Sequence, residues 1–385
     1  MRVAYLPEHR DYKQALDDFV AGHVRPLLDD FDLDDTMTRE RSHELWDELF
    51  GNGILDEVPR DADGALDWTA AGILLESLAY GNGSLSFMAL STLVFPALTF
   101  DTLTPEQQHI YGHLFARGQF LAGAYSEPGA GSNPAELRTT ARRVDGEWVV
   151  NGTKLWISGA HHSDGLLLNC LIDEGDGSAP TMGQLLLDRA VTAYETNVID
   201  TIGLRAHGLC EVVLDDVRAP LHAHLSADAA NKTELQRTLQ RGRLLMAAIA
   251  VGMAQRALDI TVNYAGQRTQ FGRSIAGFQL IQELLAQMYT DVTLARVGMF
   301  YGFSRLDEGH PVAKESSMAK AYATEAALRV ANAGIQVHGA MGLSKESEIE
   351  TIVRDARMCT IPDGTTQIHS LIIGRDLTGR SAFAS

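Results

Sequence analysis

The chain has 385 residues, of which 45% are hydrophobic and 21% are charged, and its formal net charge at pH 7 is −18. At about 150 residues per domain, this length predicts two or three domains, and the apolar content excludes an intrinsically disordered chain. The 50 acidic residues outnumber the 32 basic ones, and the basic residues form no run that could hold a polyanion. The composition therefore disfavours a nucleic-acid partner.

The three cysteines, Cys170, Cys210 and Cys359, stand far apart in the sequence. Their spacing fits neither a zinc site nor a disulfide framework. The N-terminus has no apolar signal core, and the sequence contains no run of 18 apolar residues. We therefore expect a reduced, soluble, cytoplasmic protein with no metal and no membrane partner.

Residues 1–118 carry the apolar spacing that is typical of helices. Ala15, Phe19, Val20 and Val24 recur at steps that place them on one face of a helix. The pattern predicts an all-α N-terminal domain.

The apolar pattern shortens over residues 119–225, where alternating or β-rich pieces are separated by Gly, Asn, Asp and Pro. The pairs Asp145–Gly146 and Asn151–Gly152 are typical of tight turns between strands. No helical pattern separates the strands, so a parallel nucleotide-binding sheet is disfavoured. We predict a compact, barrel-like antiparallel β domain.

Long helical patterns return over residues 226–385. Small residues between Ala247 and Ala254 suit the close packing of helices. Four helices are predicted, at about Thr233–Gln267, Gly277–Leu306, Val312–Val337 and Gly364–Arg375. The predicted fold class is therefore α+β (multidomain), with an N-terminal helical domain, a central antiparallel β domain and a C-terminal four-helix bundle.

Several common catalytic signatures are absent from the sequence. It has no phosphate-binding loop, no HExxH zinc helix and no GxSxG nucleophile elbow. His161 and His162 are adjacent, but no acidic residue or cysteine stands beside them at the spacing of a metal site. We expect them to be ordinary surface or subunit-contact histidines.

Four short motifs follow one another along the chain. The first, AYSEPGAGS at Ala124–Ser132, has the glycines and the proline of an irregular loop with exposed backbone amides. The second is NGTKLWIS at Asn151–Ser158, and the third is GQRTQFGR at Gly266–Arg273. The fourth joins RDAR at Arg354–Arg357 to IPDGTTQI at Ile361–Ile368. Taken alone, each motif could be an ordinary turn, hairpin or helix end.

In this order and at these separations, the four motifs resemble those of the acyl-CoA dehydrogenase family of flavoenzymes. The resemblance covers essentially the whole chain and includes the order of the α, β and α domains. It implies that FAD binds between the β domain and the C-terminal bundle, and that a neighbouring subunit supplies part of each FAD site. We therefore expect a homodimer or a homotetramer.

The resemblance also implies which residues contact FAD. Two types of side chain among them suit the cofactor chemically, because the guanidinium of arginine pairs with phosphate and the indole of tryptophan packs on a flat ring. The positions that match the family's FAD contacts are Tyr125, Ser126, Trp156, Ile157, Ser158, Arg268, Phe271, Gln279, Gln336, Gly339, Thr365 and Gln367.

The activity that the resemblance implies is α,β-dehydrogenation of an acyl thioester, in which a carboxylate removes the α-proton while a hydride passes to flavin N5. Ser132, Arg243 and Gly364 match substrate-binding positions of the family. The usual base is a glutamate, and its position is occupied here by Asp363, one methylene shorter. A carboxylate misplaced by about 1 Å can cost about 10²-fold in rate. Pro362 precedes it and restricts the backbone there.

Some relatives carry the base on the first bundle helix, immediately before the matched arginine, but Gly242 occupies that position here. Asp363 is thus the only base that the motifs supply, and a different proton acceptor or a loss of dehydrogenation are the alternatives. Gln240 stands where relatives that use CoA often have an acid, so the acyl group is carried either by CoA or by an acyl carrier protein.

Two other functions remain open on the same fold. A flavin monooxygenase or hydroxylase could do without the glutamate, and a non-catalytic flavin-binding scaffold would need no base at all. For a dehydrogenase, the family's usual electron acceptor is electron transfer flavoprotein, and no residue of the sequence decides whether it serves this chain.

Overall fold

The computed structural model describes residues 5–31, 33–51, 53–56, 58–61, 63–133, 136–225 and 232–382. The N-terminal part is helical, with local caps that explain where its helices begin: Asp67 accepts a hydrogen bond from the Ala70 N–H, and Thr104 and Gln107 form a capping box. Its helices are α1 (Pro7–Phe19), α2 (Arg25–Leu27), α3 (Arg39–Leu49), α4 (Trp68–Gly81), α5 (Gly83–Ala89), α6 (Phe95–Phe100) and α7 (Pro105–Tyr111).

The middle part is a seven-stranded sheet in the order β1-β4-β2-β3-β7-β6, with β5 paired to β4. Its strands are β1 (Leu121–Ala124), β2 (Thr140–Val144), β3 (Glu147–Ser158), β4 (Gly165–Asp173), β5 (Thr181–Asp188), β6 (Glu195–Ile199) and β7 (Leu209–Pro220). Most neighbours are antiparallel, but β4 pairs in parallel with both β1 and β2. Strand β3 lies between β2 and β4 in the chain, and β2 and β3 both lie between β1 and β4, so strands provide the long crossovers and no helix is required.

Only one of the two predicted tight turns is a turn. Asp145 and Gly146 both have positive φ angles, 52° and 86°, as a two-residue hairpin turn between β2 and β3 requires. Asn151 and Gly152 instead lie inside β3, at a break in its pairing with β7. A Cβ on Gly152 would lie 2.4 Å from Thr139 Oγ1, so this glycine permits close packing and not a chain reversal.

The C-terminal part contains the four predicted helices, as α8 (Lys232–Gln267), α9 (Gln279–Asp307), α10 (Ala313–His338) and α12 (Thr366–Thr378), and a further helix, α11 (Glu348–Cys359). A short hairpin of β8 (Thr269–Gln270) and β9 (Arg273–Ser274) connects α8 to α9. The prediction of four helices missed α11, whose buried side chains recur with helical spacing at Ile349, Ile352, Ala356 and Cys359.

The N-terminal and C-terminal helices share one hydrophobic core, and the sheet has a second core of its own. Helices α4 and α8 pack so closely that a Cβ on Gly252 would lie 2.1 Å from the Glu76 carbonyl oxygen. The stretches Gly83–Phe100 and Gln236–Gln267 are long and apolar enough to cross a membrane, but 72% of each lies buried inside the protein. Burial of this extent is what core helices show.

The prediction of surface or subunit-contact histidines is wrong for His162, which is buried, whereas His161 is half-buried and its contact with another subunit stays a prediction. His162 is 0% exposed, and its ring lies 4.3 Å from that of His161 and 5.5 Å from that of His207. The Ser42 hydroxyl contacts His162 Nδ1 at 3.1 Å, which ties α3 to the sheet. Burial lowers the pKa of both His161 and His162. The cluster therefore belongs to the interior between the helical and β domains.

Candidate active site

The predicted base, Asp363, lies in the short loop between α11 and α12. Its φ angle is +55°, and that of Gly364 is +108°. A non-glycine residue in this region of backbone space is strained, and such strain persists only where the surroundings impose it. Thr365 then caps α12, because its hydroxyl accepts a hydrogen bond from the Ile368 N–H.

The carboxylate of Asp363 points at the beginning of the buried part of α8. A Cβ on Gly242 would lie 2.9 Å from Asp363 Oδ2, so only glycine leaves this carboxylate its place. The next residue, Arg243, is 8% exposed, and its Nε donates to the Asp363 carbonyl oxygen at 3.1 Å. Burial raises the pKa of Asp363, although the nearby charges of Lys320 and Arg243 oppose the rise.

Lys320, on α10, binds backbone carbonyl groups on both sides of Asp363. It is 0% exposed, and its Nζ donates to the carbonyl oxygens of Thr360 at 3.0 Å and of Gly364 at 2.7 Å. Burial lowers the pKa of Lys320 to about 8, against the attraction of Asp363. The sequence analysis assigned Lys320 no role, since a lysine in a helical pattern is usually exposed.

His369 packs against the same loop on α12 but has no acid–base partner there. It is 0% exposed, neither ring nitrogen has a hydrogen-bond partner in the described part of the chain, and burial lowers its pKa to about 3. A neutral, fully enclosed imidazole is poorly placed to accept a substrate proton. Among the described residues that surround the loop, Asp363 remains the candidate base.

A buried ion pair fixes the loop of the first motif. Lys154 is 0% exposed, and its Nζ donates to Glu127 Oε1 at 2.8 Å and to the Tyr125 carbonyl oxygen at 3.1 Å. The Glu127 carboxylate also accepts the N–H groups of Arg138 and Thr139. Burial raises the pKa of Glu127, but these hydrogen bonds outweigh it and hold the pKa below its usual range. The pair was missed as a functional feature, because sequence spacing does not show burial.

Trp156 is the most unusual residue of the second motif. It lies in β3 with a φ angle of +64°, where the pairing between β3 and β7 shifts between Lys154 and Ile157. This bulge turns the indole out of the sheet, so that it is 55% exposed. Ile157 is 2% exposed and packs in the sheet core, so only its backbone can reach a ligand, while Ser158 is half-buried.

Burial is the main cause that raises the pKa of Tyr125, in the first motif, and the charge of Asp363 adds to the rise, which is consistent with the two lying in the same part of the protein. Tyr125 and Ser126 are half-buried, and Ser132 is exposed. Gly364 and Thr365 follow Asp363 directly in the chain. The structure thus brings these predicted positions to one region, which Gln367 borders as an exposed residue.

A second group of predicted FAD positions lies at the other end of α8. Arg243 and Arg268 are separated by about 37 Å along this helix, at 1.5 Å per residue. The aromatic ring of Phe271 is 93% exposed, and its φ angle is +51°. The other members of the group are all exposed: Arg268, Gln279, Gln336 and Gly339.

The hairpin that carries this second group packs on the end of α10. Tyr264 stacks on His338 with ring centres 4.2 Å apart, and its hydroxyl donates to the His338 carbonyl oxygen. Ile275 and Val337 share a small core beside them. The far-end group therefore forms one surface, but it does not meet Asp363 within this chain.

The β domain and α11 are in close contact near Gly203 and Leu204. The Leu204 N–H donates to Asp355 Oδ1 at 2.6 Å, and a Cβ on Gly203 would lie 2.5 Å from the Arg354 carbonyl. Burial raises the pKa of Asp355 to about 7. These contacts set the position of the sheet that carries Trp156 relative to the loop that carries Asp363.

The exposed side chains at the predicted positions are of types that suit a flavin dinucleotide. Trp156 offers an exposed indole face for a flat ring, and the far-end group offers a guanidinium for phosphate and an aromatic ring for a base. The described residues contain no cluster of His, Cys, Asp or Glu that could hold a metal ion. An organic cofactor, and not a metal, suits these residue types.

Comparison with known proteins agrees with this geometry. The chain matches the N-terminal, middle and C-terminal domains of acyl-CoA dehydrogenases over residues 6–119, 122–217 and 233–378. It is 30% identical to 3-(aryl)acrylate reductase of Clostridium sporogenes, over 97% of this chain and 99% of that protein. It is 32% identical to the mitochondrial short-chain specific acyl-CoA dehydrogenase of Rattus norvegicus, over 97% and 90% of the two chains.

Its fold is shared with a solved structure of a glutaryl-CoA dehydrogenase from Mycobacterium smegmatis in complex with FADH2. The TM-score is 0.87 at 24% identity, over 99% of this chain and 97% of that chain. These matches confirm the predicted fold class and the family resemblance. The chain therefore belongs to the acyl-CoA dehydrogenase family, and it is an FAD-dependent oxidoreductase of the kind that acts on CH–CH bonds.

Proposed function

We propose that the protein dehydrogenates an acyl thioester at its α and β carbons, with Asp363 as the base that removes the α-proton. The observation that carries this proposal is the carboxylate itself, which is held against Gly242 in a recess where burial raises its pKa. A base with a raised pKa accepts a carbon-bound proton more readily than an ordinary aspartate does. Bound FAD would supply the hydride acceptor.

The loop compensates for the short side chain of aspartate. A Cβ atom at position 242 would lie only 2.9 Å from Asp363 Oδ2, which is closer than side chains normally pack. Glycine therefore leaves the carboxylate in its present position. Arg243 donates to the carbonyl oxygen of Asp363, and Lys320 donates to that of Gly364. The positive φ angle of Asp363 accompanies the direction of its side chain towards Gly242. A base held this firmly loses less to misplacement than a mobile one.

The same loop offers a donor for the thioester carbonyl. The Asp363 N–H donates to no backbone or side-chain group in the described part of the chain. A free N–H beside the base can stabilise the negative charge that develops on the carbonyl oxygen as the α-proton leaves. Lys320 holds the Thr360 carbonyl before this donor in the chain, and Arg243 holds the Asp363 carbonyl after it, so both support its position.

The experiment that tests the base is exchange of the substrate α-proton with solvent deuterium. The wild-type protein with FAD is incubated with an acyl-CoA in D2O, and the α-position is followed by NMR. Exchange is expected for the wild type and is expected to vanish in Asp363→Asn with FAD still bound. If the Asn variant exchanges as fast as the wild type, a different group accepts the proton.

The reverse reaction is a second candidate, because one relative of 30% identity over nearly the whole chain is named a 3-(aryl)acrylate reductase. The raised pKa of Asp363 lets the carboxyl group carry the proton that an α-carbon receives during reduction. Anaerobically reduced protein is mixed with an α,β-unsaturated thioester, and reoxidation of the flavin supports the reductive direction. Absence of reoxidation restricts the protein to dehydrogenation.

The thioester carrier and the electron acceptor are parts of the same proposal. Gln240, which is half-buried on α8, replaces the acid often found in CoA-using relatives and so favours acyl carrier protein as an alternative carrier to CoA. Comparison of the two carriers with one acyl group distinguishes them. For dehydrogenation in the cytoplasm we expect electron transfer flavoprotein to accept the electrons, which reconstituted turnover with that protein tests.

We further propose a homodimer or homotetramer with shared FAD sites. The far-end group around Arg268 and Phe271 lies about 37 Å along α8 from the Asp363 region, which is beyond the reach of one dinucleotide bound there. A second copy that brings its own hairpin to this region would complete the site. Gel filtration tests this: a monomer that retains FAD contradicts shared binding, and Phe271→Ser is expected to weaken FAD retention.

A monooxygenase would instead give a hydroxylated product when the reduced protein meets oxygen, and a scaffold would bind FAD without reaction. The complete arrangement of Asp363, Arg243 and Lys320 around the loop argues for proton transfer in preference to either.

A further inference from the structure

The loop that connects β6 to β7 is held by two successive residues of α11. Arg354 Nη1 donates to the Ile202 carbonyl oxygen at 3.0 Å, and Asp355 Oδ1 accepts the Leu204 N–H at 2.6 Å. Between these two bonds, a Cβ on Gly203 would lie 2.5 Å from the carbonyl group of Arg354, so the backbones of loop and helix are in direct contact. The helix therefore binds three successive residues of the β domain.

Leu204 is strained and is anchored among the helices. Its φ angle is +52°, a conformation that a bulky residue keeps only where its surroundings impose it. Its side chain is 7% exposed, and with Ala206 it belongs to the hydrophobic core of the helices and not to that of the sheet. Its carbonyl oxygen accepts the Gly208 N–H at 3.1 Å. Both backbone groups of Leu204 are thus used to fix the loop.

The loop leads directly to the bulge that carries Trp156. The Gly208 carbonyl oxygen accepts the Gly159 N–H at 3.1 Å. The first two residues of β7 then pair with Ser158 and Ile157, which follow Trp156 in β3. A displacement of the loop would therefore be passed to the strand that carries the exposed indole.

In the other direction along the chain, Asp355 leads to the candidate base. Helix α11 continues to Cys359, which is 0% exposed in the helical core. Lys320 Nζ donates to the carbonyl oxygen of the next residue, Thr360, at 3.0 Å, and Asp363 follows three residues later. Because core packing and Lys320 hold this end of α11, loss of the Asp355 contact is expected to move the β-domain loop and not the loop of Asp363.

Asp355 is a buried carboxyl group whose use is otherwise unexplained. It is 4% exposed, and a Cβ on Gly83, at the start of α5, would lie 2.9 Å from its Oδ2. A carboxylate this buried costs stability unless hydrogen bonds compensate it. Burial raises its pKa to about 7, against the effect of the Leu204 N–H. The neutral and the ionised form both keep an acceptor oxygen, so the contact depends on the acceptor and not on the charge.

We infer that Asp355 is a positioning residue that, through the Leu204 N–H, fixes the separation between Trp156 on the sheet and the loop of Asp363. This inference rests on the proposed function and deepens it. Removal of the α-proton by the Asp363 carboxylate needs the Asp363 loop alone. Departure of the β-hydride toward bound FAD also needs the sheet in place, because Trp156 is a predicted FAD contact. Asp355 therefore serves the hydride step and not the proton step.

The first test is hydrogen–deuterium exchange of the backbone in the FAD-loaded protein, followed by mass spectrometry, which needs no substrate. Asp355→Leu removes the acceptor at similar volume, and Asp355→Asn keeps an acceptor oxygen. In the Leu variant, exchange is expected to rise roughly tenfold over residues 202–209 and 156–159 but not over residues 360–365. The Asn variant is expected to match the wild type. If residues 156–159 of the Leu variant exchange as in the wild type, the inference is wrong.

The second test compares the two steps of the reaction with one acyl-CoA. The rate of anaerobic flavin bleaching is expected to fall roughly 10- to 100-fold in Asp355→Leu, while exchange of the substrate α-proton in D2O stays within about twofold of the wild type. Asp355→Asn is expected to restore bleaching. The control Asp188→Leu removes another buried carboxylate, which accepts the Ala190 N–H at 2.9 Å, and should lower stability without changing the ratio of the two rates.

The outcomes separate the inference from the proposed function. If bleaching and α-proton exchange fall by the same factor in Asp355→Leu, or if neither falls, the inference is wrong and the function stands. If the wild type neither bleaches nor exchanges with any acyl-CoA, the proposed function fails, and the backbone exchange still tests the contact.

A second variant covers the case in which Asp355→Leu does not fold. Gly203→Ala places a methyl group against the Arg354 carbonyl and leaves the carboxylate in place. It is expected to raise backbone exchange over residues 156–159 and to slow bleaching while sparing α-proton exchange. Wild-type values for both readouts in Gly203→Ala would refute the inference.

Discussion

Lys320 offers the sharpest single perturbation of the active-site loop. Replacing it with methionine keeps the length of the side chain and removes the ammonium group that donates to the carbonyl oxygens of Thr360 and Gly364. Each buried carbonyl left without a partner costs about 1–3 kcal/mol, so Lys320→Met is expected to lose about 2–6 kcal/mol of stability in total. The entropy of unfolding scales with chain length, and for 385 residues this loss lowers the midpoint of thermal unfolding by roughly 2 to 7 °C.

The same substitution should also change the chemistry. Lys320 lowers the pKa of Asp363 against the effect of burial, so removing its charge raises that pKa further. The fraction of ionised base at a given pH then falls, and the acidic limb of the rate of flavin bleaching by an acyl thioester moves to higher pH. A purely structural lysine would lower the amount of folded protein but leave the limb where it was.

The controls for this experiment lie in the same helix. Lys320→Arg restores a cation and is expected to recover part of the wild-type pH profile. Lys314→Met removes an exposed lysine that pairs with Asp376, and it should change neither the melting temperature nor the profile. If Lys320→Met has the melting temperature and the pH limb of the wild type, the assigned role of Lys320 is wrong.

Three further substitutions test other parts of the structure. Lys154→Met leaves a buried carboxylate unpaired and should destabilise the protein by about 3–5 kcal/mol and loosen FAD, which denaturant titration and flavin fluorescence measure. Gly242→Ala places a methyl group against Asp363 and should slow flavin bleaching by roughly 10²-fold, whereas Gly298→Ala should not. Burial lowers the pKa of His207 from 6.5 to about 3, so stability should fall as the pH drops below 6.5, and His207→Phe should flatten this dependence in melting curves.

For each of these three substitutions, one result would contradict the role that the structure gives the residue. An unchanged unfolding midpoint in Lys154→Met would mean that the ion pair contributes no net stability. A Gly242→Ala variant that bleaches at the wild-type rate would show that the carboxylate has room to move. For His207, the unfolded chain binds the proton that the folded chain excludes between pH 6.5 and about 3. A melting temperature that is constant over pH 5 to 7 would therefore contradict its buried, neutral state.

Much of the architecture could be predicted because it depends on local patterns. Helical spacing located α8, α9, α10 and α12 within a few residues, and the Asp145–Gly146 pair located the β2–β3 turn. The four motifs in order predicted the family, which the comparisons confirm. Their roles at single positions remain predictions that the experiments above test.

Other features depend on tertiary contacts that no local pattern contains. Lys154 and Lys320 are polar residues in ordinary strand and helix positions, and only the folded chain encloses them. Asn151–Gly152 has the composition of a turn, but tertiary pairing with β7 keeps it inside a strand.

The measurement that tests the central claim most directly is an anaerobic titration of the FAD-loaded wild type and Asp363→Asn. Short, branched and long acyl-CoAs are added, then the same acyl groups on an acyl carrier protein, while the long-wavelength flavin band is followed. The account predicts that at least one class bleaches the wild-type flavin and that the Asn variant keeps its FAD in the oxidised form. If every thioester leaves the wild-type flavin oxidised, or if the Asn variant bleaches equally fast, Asp363-dependent dehydrogenation is refuted.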